Sequence, residues 1–261
     1  MREFAQKWDF RGIYPVAVTG EYLGGLGLMV WEVLRCLRRR CEFRALLEQM
    51  DQIGVRSLSI VLLTAVFTGM VLALQMGNYL TRFGAKPYAG RILALSMLRE
   101  MGPVLTALMI GGRVGSGITA EIGSMKVTEQ IDAMRSMGID PVQKLVFPRL
   151  AALMIMLPLL TVLADFVGIL GGLLIGVLEL DLSADFYFSS ILQIIRFQDL
   201  FSGLAKTVFF AFFIAAIACY NGLEASGGAD GVGRATTRTV VTSSITILIS
   251  DFFLTKLFLQ L

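Results

Sequence analysis

The sequence has no histidine and few charged residues, and each shortage excludes a class of protein. Only 16% of the 261 residues are charged, whereas soluble domains carry about 25%. Without histidine, the side chain that serves most general acid–base, zinc and haem sites is missing. The three cysteines, Cys36, Cys41 and Cys219, form no CxxC pair, so the sequence predicts neither a disulfide framework nor a zinc knuckle.

The sequence also lacks the basic segments and phosphate-binding loops that would indicate a nucleic-acid or nucleotide ligand. The net charge is only +3 and no segment resembles a basic domain, so we expect no nucleic-acid partner. The glycine-rich stretch 227–233 lacks the Gly-Lys-Ser/Thr ending of a phosphate-binding loop, and we interpret it as a flexible turn. We therefore expect no cofactor on this chain.

Apolar residues are what the sequence has in excess. They make up 56% of the chain, and the mean hydropathy is +0.73. Several apolar segments approach the roughly 20 residues that a helix needs to cross a bilayer core. We predict an all-α polytopic membrane protein with five spans, at 57–81 and at about 91–117, 146–178, 204–222 and 238–259.

Two further apolar segments fit the membrane surface better than its interior. Residues 13–34 contain two glutamates and precede a cluster of five arginines, which favours a helix lying at the interface, with a sixth span as the alternative. Residues 183–197 are too short to span and predict an amphipathic helix at the outer interface. The first dozen residues mix both charges, so we expect no cleavable signal peptide.

The distribution of basic residues predicts the orientation in the membrane. Segments 35–56, 119–149 and 223–238 carry twelve lysines and arginines, whereas segments 82–91 and 179–199 carry four. Because basic residues accumulate on the cytoplasmic side, we predict a cytoplasmic N-terminus.

Charged residues within the second predicted span indicate a functional or structural centre. A charge at bilayer depth costs roughly 2.5–3.5 kcal/mol on insertion scales, so such residues usually face a bundle interior or a cavity. Arg99 and Glu100 are adjacent in sequence and diverge by about 100° on a helix. Two interpretations of Glu100 are open: it lines a polar cavity, or it pairs with another helix through a residue such as Lys256 or Asp251.

Residues 121–137 predict a polar helix that joins two spans on the cytoplasmic side. An apolar stripe and a polar face follow helical spacing, and glycines flank the helix. The stripe is Val127, Ile131 and Met134, the polar face is Glu129, Asp132 and Ser136, and the glycines are Gly123 and Gly138. Membrane subunits driven by separate ATPases use such a helix to dock on the ATPase.

Several long motifs in this region resemble the MlaE/YrbE permease family. The motifs are Glu100-x-Gly102-Pro103-Val104-Leu105, Gly112-Arg113-x-Gly115-Ser116, Ala120-Glu121-Ile122-Gly123, Val127-Thr128-Glu129-Gln130-Ile131-Asp132-Ala133, Asp140-Pro141, Pro148-Arg149, Asn221-Gly222 and Gly233-Arg234-Ala235-Thr236-Thr237-Arg238-Thr239-Val240-Val241. The resemblance runs from about residue 45 to the C-terminus. It implies one permease domain over 1–261, with an interfacial region at 1–44 and a transmembrane core at 45–261.

The resemblance also implies an activity and a set of partners. The expected protein is a homodimeric subunit of an ABC transporter in the bacterial inner membrane of Gram-negative cells. It would move phospholipids between that membrane and a periplasmic carrier and so maintain outer-membrane lipid asymmetry. The implied partners are a cytoplasmic MlaF-like ATPase that binds the ATP, a small MlaB-like STAS subunit and a periplasmic MlaD-like MCE hexamer.

The family's functional residues carry over by motif. The implied lipid cavity is lined by Leu72, Gln75, Tyr79, Leu80, Phe83, Glu100 and Met101. The implied ATPase-coupling residues are Glu121, Met125, Thr128, Glu129, Gln130 and Asp132. No catalytic or metal site is implied.

Two competing functions also fit part of the sequence. Asp165 and Asp251 lie in apolar segments and would suit an intramembrane aspartyl protease, or a lipid-modifying enzyme, although neither lies in a recognisable motif. A purely structural membrane scaffold is the third alternative, and it leaves the intramembrane charges unexplained.

Overall fold

The computed structural model describes residues 14–36 and 43–260, and within these ranges the chain is helical and forms no strand. Arg38, Arg39 and Arg40 of the predicted basic cluster, Cys41 and the mixed-charge first dozen residues lie outside the described residues.

Eleven α-helices are described, and three π-helical turns connect or precede them. The helices are α1 (Tyr14–Cys36), α2 (Phe43–Ile53), α3 (Leu58–Arg82), α4 (Ala89–Ser96), α5 (Gly102–Ile110), α6 (Ser116–Val127), α7 (Gln130–Ser136), α8 (Phe147–Leu178), α9 (Ala184–Ile194), α10 (Phe197–Leu223) and α11 (Gly228–Gln260). The π-turns Met97–Met101 and Gly111–Gly115 join α4, α5 and α6 into one long helix, and Val142–Val146 precedes α8.

Five helical stretches are long and apolar enough to cross a membrane, which confirms the five predicted spans. They are Phe43–Arg82, Lys86–Val127, Val142–Leu178, Phe197–Leu223 and Gly228–Gln260. The last span begins earlier than predicted, because Gly228 already starts the helix. The interpretation of 227–233 as a flexible turn was therefore wrong: within this stretch only Gly227 lies outside the helix, and positive φ angles occur at Gly227 (+90°) and Gly228 (+66°).

The spans alternate in direction, so the bundle has two distinct ends. The α7 end carries α2, α7, the C-terminus of α10 and the N-termini of α3, α8 and α11. The α9 end carries α9, the N-termini of α4 and α10, and the C-termini of α3, α8 and α11. α9 is amphipathic as predicted: Tyr187 and Ile191 are buried against the bundle, while Phe186 and Leu192 are exposed.

α1 packs along the α7 end of the bundle. It contacts α10 and the π-turn before α8, both of which lie at that end. Tyr22 donates a hydrogen bond to Asn221 Oδ1 at 3.1 Å, and Met29 and Val33 are buried in the main core. This placement agrees with the predicted interfacial helix.

α8 lies at the centre of the bundle and packs against α3 through glycines. A Cβ atom on Gly69 would come within 1.9 Å of the Gly168 carbonyl oxygen, and one on Gly171 within 2.5 Å of the Val66 carbonyl oxygen. Two further glycines of α8 approach other neighbours, because Gly172 faces Leu93 and Gly176 faces Tyr187. Small residues permit this close approach of backbones in a membrane, where dispersion contacts stabilise helix pairs.

We expect Gly69→Val to destabilise the protein, because its side chain would collide with backbone that cannot move aside. Overpacking of this kind costs about 1–3 kcal/mol. The measurement is the thermal unfolding midpoint of the detergent-purified chain. Gly112→Val is the matched control, since a Cβ atom there meets no atom within 4 Å; equal midpoints for the two variants would contradict the close packing.

Candidate functional site

A buried lysine on α10 gathers charges from three helices near the α9 end. Lys206 Nζ lies 2.8 Å from Glu100 Oε2 and donates a hydrogen bond to Thr255 Oγ1 at 2.6 Å. It also forms an ion pair with Asp251 Oδ1 at 3.0 Å, without the angle of a hydrogen bond. The lysine side chain is only 2% exposed, so its charge depends on these partners.

The backbone of the π-turn Met97–Met101 contributes a further acceptor. In an α-helix the Arg99 carbonyl would accept a hydrogen bond from residue 103, but Pro103 has no N–H. Lys206 Nζ donates to this carbonyl instead, at 3.0 Å. The ammonium group therefore donates to a carbonyl that lacks its usual α-helical donor.

Arg99 and Glu100 point to different partners, as their adjacency predicts. The Arg99 guanidinium donates two hydrogen bonds to Asp199 Oδ1, whereas Glu100 faces Lys206. Asp199 also accepts a hydrogen bond from the Arg196 backbone N–H at 2.9 Å, which caps α10. Two separate ion pairs thus connect the π-turn Met97–Met101 to α10.

The ion pairs of Lys206 lie well within a helix that is long and apolar enough to cross a membrane. Lys206 follows the start of α10 by nine residues, and a rise of 1.5 Å per residue places it about 14 Å along the helix. Unpaired charges at that depth are costly, so mutual neutralisation is the condition for placing them there.

A groove of about 600 Å³ opens onto this charge cluster. Arg99 and Glu100, with side chains 45% and 34% exposed, provide accessible charge of both signs. The remaining walls are polar or apolar: Leu95, Ser96, Gln198, Asp199, Phe201, Ser202, Lys206, Thr255, Phe258 and Leu259. A molecule with a charged group and hydrocarbon chains matches this lining.

The two interpretations of Glu100 from the sequence are both present in the structure. Glu100 lines a cavity and also pairs with another helix. Its cationic partner is Lys206, which no local sequence pattern indicates, whereas Lys256 is exposed.

The other predicted cavity residues do not join Glu100 in one cavity of a single chain. On α3, Gln75, Tyr79 and Phe83 are exposed, while Leu72 and Leu80 are half-buried. Met101 lines a narrow space beside Val61 and Ala65. Among the described residues, Glu100 is the predicted cavity residue that lines the groove.

The predicted helix over 121–137 is two helices, and this expectation was wrong. Residues up to Val127 continue the second span as the end of α6, and α7 begins only at Gln130. Glu129 lies between them with a left-handed φ of +61°, which redirects the chain. A helical pattern in sequence does not reveal one residue of opposite backbone hand.

The predicted coupling residues fall into two groups. Four of them are exposed at the break between α6 and α7 and form what we term the docking turn: Thr128, Glu129, Gln130 and Asp132. The other two face the bundle: Met125 packs against the core, and Glu121 forms an ion pair with the buried Arg149 at 2.9 Å. Ile131 is fully buried and anchors α7.

A buried polar network closes the α7 end. Thr119 Oγ1 lies 2.8 Å from Thr239 Oγ1 and donates to the Ala218 carbonyl, and Asn221 Nδ2 donates to Thr239 at 2.9 Å. Through Asn221 and Tyr22, this network ties α6, α10, α11 and α1 together. The sequence motifs contained Asn221 and Thr239 but gave no indication of their partner.

Asp165 and Asp251, the residues of the protease alternative, lie in different environments. Asp165 is buried beside Gly102 with Oδ1 unpartnered, whereas Asp251 pairs with Lys206. No hydrogen bond or ion pair joins the two carboxyl groups within the described part of the chain. That part also contains no group of three or more side chains suited to hold a metal ion.

Comparison with known proteins gives a consistent result. The family described as Permease MlaE matches residues 46–257. A probable ABC transporter permease protein of Rickettsia bellii is 45% identical over 224 residues, covering 86% of each chain. The intermembrane phospholipid transport system permease protein MlaE of Haemophilus influenzae is 41% identical over 237 residues, covering 90% of this chain and 91% of the relative. The chloroplastic protein TRIGALACTOSYLDIACYLGLYCEROL 1 of Arabidopsis thaliana is 37% identical over 254 residues, covering 97% of this chain and 70% of the relative.

We expect Lys206→Met to destabilise the protein strongly, because it leaves Glu100 and Asp251 without their cation. Removing one partner of a buried ion pair costs about 3–5 kcal/mol. Adding Glu100→Gln to this variant should restore part of the loss, since one uncompensated charge is removed. Thermal unfolding in detergent is the measurement.

Lys256→Met is the matched control for this prediction, because Lys256 is an exposed lysine on α11. A Lys206→Met variant as stable as Lys256→Met would show that the buried cluster does not depend on the ammonium group.

Proposed function

The chain belongs to the MlaE permease family, and from this premise we propose that it is the membrane-spanning subunit of an ABC transporter that moves phospholipids. It carries them between the bacterial inner membrane and a periplasmic MCE carrier. ATP is bound and hydrolysed by a separate subunit, and the chain itself is not catalytic.

The groove at the α9 end is the observation that carries the proposal of a lipid cargo. Its lining places accessible charges of both signs beside Phe201, Phe258 and Leu259. A phospholipid has the matching parts, a charged headgroup and hydrocarbon chains. The phosphate would be drawn to the exposed part of the Arg99 guanidinium, because arginine donates paired hydrogen bonds to phosphate oxygens.

Exposed polar side chains on α3 support a homodimer with a cavity between its two copies. Gln75 and Asn78 are exposed within a membrane span, on a face that also carries Tyr79. An amide in contact with lipid hydrocarbon loses its hydrogen bonds to water at a cost of several kcal/mol, so such groups normally face protein or a water-filled space. A second copy would enclose these residues of α3 in the predicted lipid cavity.

The α7 end is the side on which the ATPase would bind. Basic residues concentrate in the segments at this end, which favours a cytoplasmic location with the N-terminus on the same side. The docking turn is exposed there and is held by the buried Ile131. A STAS-type subunit would associate with the ATPase, and the MCE hexamer would sit at the α9 end.

The structure offers a direct route from the docking turn to the groove. α6, α5 and α4 form one continuous helix with two π-turns, and the farther π-turn contains Glu100. The ion pair between Glu121 and Arg149 joins α6, the part of this helix nearest the docking turn, to α8. Movement of the docking turn as the ATPase closes would therefore shift the wall of the groove and change its affinity for lipid.

Native mass spectrometry of the complex, released gently from its own membrane, tests the proposal. We expect two copies of this chain, two ATPase subunits, an MCE hexamer and bound phospholipid. Phe83→Asp should lose the lipid while keeping the protein subunits, because a carboxylate would enter the apolar part of the cavity. Phe253→Asp, at an exposed position on α11, serves as the control.

A single copy without ATPase or lipid would overturn the transporter proposal. Full lipid occupancy in Phe83→Asp would remove only the α3 face from the binding site and leave the subunit composition as evidence for the transporter.

Two substitutions of Glu129 separate the shape of the docking turn from its charge. Glu129→Gly preserves the left-handed conformation, since glycine adopts positive φ freely, and should keep the ATPase bound. Glu129→Lys reverses the charge of the docking turn and should lose both ATPase co-purification and transport. The thermal midpoint of each membrane subunit checks that the fold is intact.

Wild-type transport by Glu129→Lys would contradict the assignment of this surface to the ATPase. Glu32→Lys is a suitable control, because it makes the same charge reversal at an exposed position of α1, outside the docking turn.

A further inference from the structure

A second groove lies at the α7 end, between α2 and α6, on the opposite side of the bundle from the groove that contains Glu100. It encloses about 340 Å³. Its lining is mainly polar and includes two arginines and two carboxamides: Arg56, Arg113, Gln49 and Gln52. Carboxamide and guanidinium groups together present many N–H donors to one small space.

Arg113 is fixed in this groove by a short chain of hydrogen bonds. It lies in the π-turn Gly111–Gly115, and its Nη1 donates to Ser57 Oγ. Ser57 is fully buried and donates in turn to the Ile53 carbonyl oxygen. A guanidinium has five N–H donors, so this contact leaves most of them for a ligand.

The charge of Arg113 is not compensated within the described residues. No carboxylate forms an ion pair with it there. Arg56 lies 3.4 Å from Asp51, and both side chains are more than half exposed, so this pair is weak. Glu121, the acidic residue of the groove, is held by Arg149 at 2.9 Å. The groove therefore retains net positive charge.

The sequence places the groove at the predicted boundary of the membrane. Ser57 immediately precedes α3, and no charged residue lies between Arg56 and Arg82. The hydrogen bond between the two side chains places Arg113 at the same depth along the bundle as Ser57. Lipid phosphates occupy this boundary zone between the hydrocarbon core and water.

Gly117 keeps the groove open one helical turn beyond Arg113. A Cβ atom on this glycine would meet no other atom within 4 Å, and Gly117 is itself part of the lining. A larger side chain at this position would therefore fill the groove without disturbing the helix pair.

We propose that this groove binds the phosphate of a phospholipid from the leaflet at the α7 end, with Arg113 and Arg56 as its cationic ligands. The chemistry is that of a phosphate oxygen held by guanidinium and carboxamide donors, which a free phosphate ion could also satisfy. The site is separate from the groove at the α9 end, and it does not depend on the transport proposal.

Photoaffinity labelling of the full chain in detergent–lipid micelles tests the site. The probe is a phosphatidylglycerol with a photoactivatable diazirine next to the glycerol, and the adducts are mapped by peptide mass spectrometry. We expect adducts on the peptides that contain Arg56 and Arg113. A diacylglycerol with the same diazirine, which has no phosphate, should label these peptides weakly.

Arg113→Gln should lower the labelling of this groove at least about tenfold, which is the loss expected for a charge-assisted hydrogen bond. Gly117→Leu should lower it as well while retaining both arginines, so it remains informative if the arginine variant folds poorly. Arg82→Gln removes the same charge at the α9 end and should label like the wild type.

Three outcomes would overturn the proposal. Unchanged labelling in both Arg113→Gln and Gly117→Leu would exclude the groove as the binding site. Equal labelling by the diacylglycerol probe would show that the phosphate is not recognised. Loss of labelling on addition of millimolar inorganic phosphate would assign the groove to a free anion instead of a lipid.

Discussion

The burial of one ammonium group constrains much of this membrane bundle. Lys206 is almost fully enclosed at bilayer depth, and a lone charge there would be ejected or neutralised. Its partners come from the second and fifth spans, so the helices that carry Glu100 and Asp251 must meet at α10. Desolvation offsets most of the Coulomb energy of a buried ion pair, whereas removing one partner costs about 3–5 kcal/mol, so the cluster acts mainly to fix which helices are neighbours.

The irregular backbone next to this cluster follows from the same constraint. Pro103 removes a donor from the helix, and the π-turn places Arg99 and Glu100 so that each reaches a different group on α10. π-Turns within helices are often found at functional sites, and here each of the three contains at least one charged residue. The groove at the α9 end thus opens where the helix departs from regular geometry.

Much of the architecture could be predicted from sequence, because hydropathy and helix length depend on local composition. The five spans, the α9 helix and the divergence of Arg99 and Glu100 follow from such patterns. The partner of Glu100 could not be predicted, since a pair separated by 106 positions leaves no local signal. The break at Glu129 was missed for a different reason: a single positive φ does not interrupt the apolar spacing of Val127, Ile131 and Met134. Residue roles taken from motifs remain predictions wherever a second chain would complete the site.

The order of the clustered charges along the chain has a consequence for synthesis. The helix with Glu100 enters the membrane before α10, and α11 with Asp251 enters last. Lys206 therefore meets a carboxylate already in place when its own helix is inserted, and Asp251 later meets a cation already in place. In this order, Lys206 and Asp251 each enter the membrane after a residue of opposite charge, and only the first charge of the cluster enters before its partner. The first of these charges to be delivered, Glu100, enters next to Arg99 in the same helix.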